Sequence, residues 1–322
     1  MDDFKKNYLF ITFLFVFLPV LCVFSQNNQG INFDTVKSGK YDNGKMWTFH
    51  NLPSEYFQSE YNFVPTKEWL DHARMSALRF ANYCSASFIS EDGLVMTNHH
   101  CGRENVTKVT KKGENLNETG FFAESLAEER KVPDLYVSQL REVIDVTEII
   151  KKEMDKGKTD EEKIDLLEKK SQELTEKYNN ELKLNCELVS LYNGGEYYIY
   201  AYKNYDDVRL VCAPENQIGY FGGDYDNFTY PRYNLDFTFF RVYEDEKPLK
   251  TEHYFNWSKS GIDSGGVIFV VGNPASTSRL KTVAELELMR DVLYPYYVNM
   301  INFQLSTLKI QLQNAGENKE EI

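Results

Sequence analysis

The residues best suited by type and spacing to chemistry lie between Cys84 and Cys101. This stretch ends on His99-His100-Cys101. A histidine held by a carboxylate can act as the general base for a nucleophilic serine, and histidine with cysteine can also bind a metal ion. The other three of the five histidines are scattered along the chain, so no second cluster stands at ligand spacing. The pattern favours acid–base chemistry over a metal site.

A predicted β-hairpin presents these histidines. Residues 85–90 and 94–97 have the pattern of short strands, and Glu91-Asp92-Gly93 forms the turn between them. Gly93 supplies the positive φ that such turns need. If the second strand continues through His99 and His100, the two rings point to opposite faces. They therefore cannot share one role.

A carboxylate partner is predicted in residues 221–237, which are rich in Gly, Asp, Asn and aromatic residues. That composition is typical of a structured functional loop. Asp236 opens an apolar strand and should be only partly solvated, whereas Asp224 and Asp226 lie in the more open part. Asp236 is therefore the predicted partner of the base.

The remaining pattern predicts a mainly β protein with helical excursions. Thr66 is a plausible N-cap for a helix over residues 66–80. Residues 102–118 read as a loop, and the highly charged residues 148–180 as one or two solvated helices. Strands are predicted at 135–146, within 186–212, at 235–243 and at 267–271, a spacing typical of a barrel or sandwich. From residue 283 to 312 the pattern becomes helical.

Composition limits the partners. The formal net charge is −13, which argues against nucleic acid and anionic membranes because both require a basic face. Hydrophobic residues make up 42% of the sequence, enough for a core. We expect no cofactor.

The N-terminus resembles a secretory signal peptide. Lys5 and Lys6 precede an apolar run over residues 8–24, and Ser25-Gln26 marks the cleavage zone. The alternative is a single membrane anchor, since the run is close to the length of a short span. We expect residues 1–25, with Cys22, to be removed, and the mature protein to be exported to the periplasm without a membrane anchor.

Four cysteines then remain, an even number that permits disulfides in an exported protein. Each local pair brackets a predicted hairpin. The expected bridges are Cys84–Cys101 and Cys186–Cys212, and the alternative is free buried thiols.

Two long motifs in the same order resemble the bacterial serine dipeptidyl peptidases of the dipeptidyl-peptidase 7 and 11 family. They are Ser-Phe-Ile-Ser-Glu-Asp-Gly-Leu-Val-Met-Thr-Asn-His-His-Cys, ending at Cys101, and Gly-Gly-Asp-x-Asp-Asn-Phe-x-x-Pro-Arg-x-x-x-Asp-Phe, ending at Phe237. Supporting matches are the residues 76–80 and 271–279. The resemblance implies a chymotrypsin-like double β-barrel with an inserted helical domain. Residues 26–281 would be the N-terminal part of the peptidase domain, and residues 282–322 the start of the helical domain.

The resemblance also implies the roles of individual residues. His100 would be the general base and Asp236 the carboxylate that orients it. Asn227 would anchor the free α-amino group of an oligopeptide, with Phe228 beside it where the family commonly has Trp. Such an enzyme releases dipeptides from the N-terminus of its substrate, and in full length it would form a homodimer through the helical domain.

The nucleophile poses a difficulty. In this family the serine follows the helical domain, whereas this sequence stops inside it, so we expect the chain alone to hydrolyse peptides poorly or not at all. Ser264, within Asp263-Ser264-Gly265-Gly266, offers the alternative of a short trypsin-like endopeptidase. Too few residues separate Asp236 from Ser264 to build a second barrel. A third hypothesis is a non-catalytic peptide-binding relic that keeps the Asn227 amine clamp.

Overall fold

The strands and helices are given by a computed structural model that describes residues 45–220, 233–274 and 281–314. The predicted signal peptide lies outside these residues. The chain divides into two units, one of residues 47–278 and one that combines residues 1–46 with 279–322. The first unit contains the sheet and every candidate site residue that the structure describes.

The described strands of this unit all pair antiparallel. They are β1 (Ala77–Phe80), β2 (Cys84–Phe88), β3 (Leu94–Thr97), β4 (Phe121–Phe122), β5 (Arg130–Lys131), β6 (Val137–Asp145), β7 (Asn185–Leu191), β8 (Glu196–Tyr205), β9 (Val208–Ala213), β10 (Thr238–Glu244) and β11 (Lys247–Pro248). Their order is β4-β9-β10-β3-β2-β1-β6-β8-β7, with β5 beside β9 and β11 beside β10. The fold is thus a mainly antiparallel sheet with helices.

Seven helices accompany the described part of this sheet. They are α1 (Ser54–Tyr61), α2 (Lys67–Ser76), α3 (His99–Val109), α4 (Leu116–Thr119), α5 (Thr147–Met154), α6 (Asp160–Leu182) and α7 (Asn216–Tyr220). Short 3₁₀ turns occur at Leu126–Glu128 and Tyr192–Gly194. The highly charged region is thus a helix pair, α5 and α6, that departs from the sheet between β6 and β7.

The predicted hairpin is present. Strands β2 and β3 pair through Ser87↔Met96 and Phe88↔Val95, and Gly93 has φ +67° in the turn. Strand β3 also pairs with β10, with Thr97 opposite Thr238. This register brings the chain entering β10 to the end of the hairpin, where the histidines lie.

Two apolar clusters support the unit. The larger one surrounds the hairpin and includes the fully buried Phe80, Phe88 and Phe240. The smaller one lies where α5 and α6 pack near β7 and β8, around Ile150 and Ile199. The site therefore stands on the larger cluster.

Three predicted elements were wrong. The helix that Thr66 caps ends at Ser76, and residues 77–80 form β1, because this segment pairs with both β2 and β6; a tertiary pairing overrides local helix propensity. Residues 99–109, expected as a strand end and a loop, form α3. Residues 267–271 form no strand, because they have no ladder partner among the described residues.

The predicted Cys186–Cys212 disulfide is also wrong, because both thiols are free. Cys186 lies on β7 in the smaller cluster, whereas Cys212 lies on β9 opposite Phe239. Six strands stand between β7 and β9 in the order of the sheet, although the two cysteines bracket a local run of strands in sequence. Burial raises the pKa of both thiols.

The described part of the other unit is helical over the range that the sequence predicts. Helix α8 (Val283–Leu288), a π-helical turn (Met289–Leu293) and α9 (Tyr294–Asn314) follow one another. Thr282 and Glu285 form a capping box at the start of α8. No helix within the described residues is long and apolar enough to cross a membrane.

Candidate active site

The site is built on the junction between β3 and α3. Strand β3 ends at Thr97, Asn98 is the N-cap residue in an extended conformation, and α3 begins at His99. The Asn98 side chain does not cap its own helix. Its Nδ2 instead donates to the backbone carbonyl and to Oδ2 of Asp236, each at 3.2 Å. The strand-to-helix junction is thereby tied to the chain entering β10.

Asp236 holds His100 at two atoms. Its Oδ1 accepts from the backbone N–H of His100 at 3.0 Å, and its Oδ2 lies 2.8 Å from Nδ1 of the ring. A carboxylate can only accept, so Nδ1 carries the hydrogen. In the neutral ring, Nε2 then carries the lone pair that a general base needs. The structure thus brings the side chains of His100 and Asp236 together.

The two side chains differ in exposure as such a pair requires. The Asp236 side chain is 5% exposed and that of His100 is 41% exposed. The carboxylate is thus shielded from solvent behind a ring that remains accessible. The first turn of α3 adds to this arrangement, because helix N-termini favour negative charge.

A close approach between α3 and β10 fixes the distance between the two residues. A Cβ added to Gly102 would lie 2.9–3.0 Å from three side-chain atoms of Thr238. Only glycine lets the first turn of α3 approach this close to β10. Thr238 follows Asp236 by two residues, so the contact sets where the carboxylate meets His100.

The Cys84–Cys101 disulfide, predicted from sequence, is present. It joins the start of β2 to the first turn of α3, with 6.2 Å between the two Cα atoms. The bridge holds the residue next to His100 against the hairpin. Because the two sulfurs are bonded to each other, they offer no thiolate to a metal in this state.

His99 has a different environment from His100. It is 3% exposed, its Nδ1 has no hydrogen-bond partner among the described residues, and the ring donates a hydrogen bond to the backbone carbonyl of Pro214. Desolvation by burial lowers its pKa. A Cβ on Gly219 would lie 2.6 Å from Nδ1 of this ring. His99 is thus a buried packing partner of α7.

Helix α7 is joined by two hydrogen bonds to the chain that leads into Asp236. The N–H of Leu235 donates to the carbonyl of Ile218 at 2.8 Å, and Nδ2 of Asn234 donates to the carbonyl of Gly219 at 3.2 Å. These bonds join the described chain before residue 221 to the described chain after residue 232. Asn227 and Phe228, the predicted amine-binding residues, fall in that segment and lie outside the described residues, as do Asp224 and Asp226.

Ser264, the alternative nucleophile, lies in an exposed turn closed by the Gly266 N–H to Asp263 carbonyl bond of 3.0 Å. Gly265 has φ +84° in this turn. The Asp-Ser-Gly-Gly pattern is therefore accounted for by turn geometry.

Sequence reasoning missed three residues that shape the site: Asn98, Gly102 and Gly219. The sequence carries one usable signal, the glycine directly after His-His-Cys, which is unfavourable inside a helix unless close packing requires it. No local sequence pattern indicates the packing role of Gly219 or the hydrogen bonds from Asn98 to Asp236. Those depend on contacts between segments far apart in sequence.

A shielded carboxylate that orients an exposed imidazole is the arrangement of a hydrolase acid–base pair. The sequence model of the Peptidase S46 family matches residues 41–321. The chain belongs to peptidase family S46.

Curated relatives give the same family. An Asp/Glu-specific dipeptidyl-peptidase from Shewanella putrefaciens is 35% identical over 257 residues, covering 76% of this chain and 35% of the relative. The protein of that name from Porphyromonas gingivalis is 34% identical over 266 residues, covering 75% and 37%. Dipeptidyl-peptidase 7 from Porphyromonas endodontalis is 31% identical over 255 residues, covering 74% and 31%. The chain therefore spans about a third of the length of these relatives.

The fold is similar to a solved structure of the same kind of protein. The crystal structure of Porphyromonas endodontalis DPP11 in complex with substrate matches with a TM-score of 0.52 and 29% sequence identity. The match covers 59% of this chain and 30% of the solved chain.

Proposed function

We propose that this chain provides the histidine–aspartate half of a serine-type dipeptidyl aminopeptidase, which releases dipeptides from the N-terminus of oligopeptides. One observation carries the proposal: Asp236, with its side chain 5% exposed, contacts both Nδ1 and the backbone N–H of His100. Membership of family S46 and relatives named dipeptidyl peptidases support the same reaction.

The proposed mechanism follows from the geometry. Nε2 of His100 accepts the proton of a serine hydroxyl as that oxygen attacks the peptide carbonyl, and the imidazolium later gives the proton to the leaving amine. Asp236 stabilises the imidazolium and holds the ring in the Nδ1–H tautomer. The buried carboxylate and the backbone N–H contact together restrict ring rotation, which favours a productive geometry.

The substrate's free α-amino group would bind in residues 221–232, with Asn227 as the acceptor and Phe228 beside it. The hydrogen bonds between α7 and residues 234–235 support this assignment, because they hold the chain that flanks this segment close to Asp236. An amine anchor at a fixed distance from the base would explain release of two residues at a time.

The nucleophilic serine would come from a region of the relatives that this chain does not cover. In the proposed architecture, residues 26–281 contribute the first part of a chymotrypsin-like double barrel, and residues 282–322 begin the inserted helical domain. The proposal further includes export to the periplasm after removal of residues 1–25, and a homodimer formed through the helical domain.

Calorimetry tests the amine anchor without requiring catalysis. We expect the chain to bind a tripeptide with a free N-terminus and to lose that binding when the tripeptide is N-acetylated. Asn227→Ala should abolish the difference, whereas Asn185→Ala, at an exposed asparagine at the start of β7, should retain it. Equal or absent binding of the two peptides to the unsubstituted chain would overturn the proposed amine clamp.

A fluorogenic dipeptide amide tests the nucleophile. Under the proposal, the chain alone hydrolyses it poorly or not at all, and Ser264→Ala changes nothing. Substantial hydrolysis that is lost in both Ser264→Ala and His100→Ala would instead establish the short endopeptidase. Selective binding of free N-termini without hydrolysis in any assembled form of the protein would favour the peptide-binding relic.

A further inference from the structure

The Cys84–Cys101 bridge and His100 place three metal-binding side chains together. One ligand atom from each of Cys84, His100 and Cys101 lies within 4.8 Å of the others. No other group of three or more His, Cys, Asp or Glu side chains of this kind occurs among the described residues. The cluster therefore combines two cysteine sulfurs with an imidazole that lies close to both of them.

We propose that the reduced chain binds a zinc ion through Cys84, Cys101 and His100, and that formation of the Cys84–Cys101 disulfide abolishes this site. The two states exclude each other, because a sulfur in a disulfide cannot act as a thiolate ligand. His100 is then either a zinc ligand or a base available for catalysis. This inference does not depend on the proposed peptidase function.

The backbone geometry suits zinc. Tetrahedral coordination at a Zn–S distance of about 2.3 Å places two thiolate sulfurs about 3.7 Å apart. The Cα atoms of Cys84 and Cys101 are 6.2 Å apart, so opening the bridge lets the sulfurs reach that separation by rotating their side chains. Bonds of about 2.0 Å to nitrogen and about 2.3 Å to sulfur place these atoms about 3.5 Å apart in a tetrahedral site. The three ligand atoms already lie within 4.8 Å of one another, so a small movement of the His100 ring completes the site.

The surroundings of His100 resemble those of a zinc-bound histidine. Such a ligand usually donates its second ring N–H to a carboxylate, which fixes the tautomer and makes the bound nitrogen more basic. Nδ1 of His100 already has this partner, because it lies 2.8 Å from Oδ2 of Asp236. Nε2 would therefore bind the ion, and three protein ligands leave a fourth position for water.

The exposed His100 provides an entry path for the ion, and the two cysteines provide selectivity. Cys101 is buried and Cys84 is half-buried, whereas His100 is exposed. An ion can approach from the side of the imidazole and meet the thiolates in a partly dry environment. The soft thiolates select zinc over magnesium or calcium, which prefer oxygen ligands.

The reduced state arises without any special reaction. A newly synthesised chain carries both cysteines as thiols, and the bridge forms only in an oxidising compartment. Zinc binding then releases the two thiol protons. In the test, a water-soluble phosphine supplies two electrons to the S–S bond, water supplies the two protons, and the phosphine becomes its oxide.

The experiment measures zinc binding by the full chain with Cys22→Ser, Cys186→Ala and Cys212→Ala, so that only the proposed thiols remain. After reduction we expect one equivalent of Zn²⁺, measured by competition with a chromophoric chelator, and none in the oxidised protein. Cobalt(II) should give tetrahedral visible bands with sulfur-to-metal charge transfer. Circular dichroism shows whether the reduced chain remains folded.

Variants identify the ligands. Cys84→Ser, Cys101→Ser and His100→Asn should each lower the zinc affinity at least about tenfold, and Asp236→Asn should lower it about 10–100-fold. His100→Cys should restore tight binding and serves as the control for folding. Equal zinc binding by the reduced and oxidised proteins, or unchanged affinity in any of the first three variants, would overturn the site. The peptide-binding experiments above do not involve zinc, so either proposal can fail alone.

Discussion

Asp236 binds His100 through both of its carboxylate oxygens. Oδ2 lies 2.8 Å from Nδ1, and Oδ1 accepts from the backbone N–H at 3.0 Å. The second bond satisfies one of the N–H groups that a helix leaves without a partner in its first turn. One carboxylate thus orients the ring and caps α3, a role that the N-cap residue Asn98 does not perform with its own side chain.

Replacing this carboxylate should change the tautomer of His100. In Asp236→Asn, the amide oxygen can still accept the backbone N–H, which turns the NH₂ group toward Nδ1 and forces the hydrogen onto Nε2. We expect ¹⁵N NMR of the imidazole to show the change from the Nδ1–H to the Nε2–H form. Peptidase activity in any assembled form of the enzyme should fall by about 10⁴-fold. Asp263→Asn, in the exposed turn, is the control, and an unchanged His100 tautomer in Asp236→Asn would contradict the assignment.

Gly102 should be sensitive to a single methyl group. Gly102→Ala places a Cβ 2.9–3.0 Å from the Thr238 side chain, and overpacking of this kind costs about 1–3 kcal/mol. Removal of glycine from a helix returns about 1 kcal/mol. We therefore expect the substitution to destabilise the native protein, and to do so less in a Thr238→Ala background, which removes two of the three close side-chain atoms. Urea denaturation of the four proteins measures this coupling, and simple additivity would contradict the close contact.

The Cys84–Cys101 bridge should contribute substantially to stability. It closes a loop with a sequence separation of 17 residues, for which the chain-entropy model gives about 3 kcal/mol. Cys84→Ala with Cys101→Ala should lower the free energy of unfolding by about that amount. Denaturant titration of the oxidised protein provides the measurement. A loss below about 1 kcal/mol would show that the bridge does not restrict the unfolded chain as that model assumes.

The remaining cysteines of the sheet should react as thiols. Alkylation of the unfolded, unreduced protein should label Cys186 and Cys212 but leave Cys84 and Cys101 unlabelled. Peptide mass spectrometry identifies the labelled positions. Before unfolding, labelling of Cys186 should be slow, because that thiol is buried and its pKa is raised. A peptide that joins Cys186 to Cys212 would restore the sequence-based pairing that the structure rejects.

Acid should remove one specific interaction near α4. The two terminal nitrogens of Arg130, Nη1 and Nη2, donate to Glu114 at 2.6 and 2.8 Å, and this lowers the pKa of the Glu114 carboxyl from 4.5 to about 2. Since the folded pKa lies below the unfolded one, the stabilisation is complete above about pH 4.5 and is lost as the pH falls toward 2. Glu114→Gln should therefore flatten the decrease in urea midpoint across this range, and Glu118→Gln, at a nearby exposed glutamate, should not. Added salt should reduce the difference, because the pair is near the surface.

Much of the local structure followed from sequence patterns. The hairpin turn at Gly93, the cap at Thr66 and the charged helix pair were predictable, because turn chemistry, capping and periodicity act over a few neighbouring residues. The pair of His100 with Asp236 was found through motifs and composition. The cysteine pair Cys84–Cys101 was found because both residues flank one hairpin.

Two of the wrong predictions share one physical cause, which is that the deciding contacts join distant segments. Residues 77–80 continue a helical pattern but become β1 because strands on both sides pair with them. Cys186 and Cys212 bracket neighbouring strands in sequence, yet the order of the sheet separates β7 from β9. No local pattern contains the strand order.

The sequence by itself determined which side chains are candidates for chemistry, namely one imidazole, one carboxylate and a cysteine pair, because residue types and short turns depend only on local sequence. The tertiary structure decided how they are used. It placed Asp236 within hydrogen-bond distance of two atoms of His100, and it buried His99 against Gly219. It also packed α3 closely against β10 at Gly102. Those outcomes depend on the register of β3 with β10 and on close packing between elements, which only the folded chain specifies.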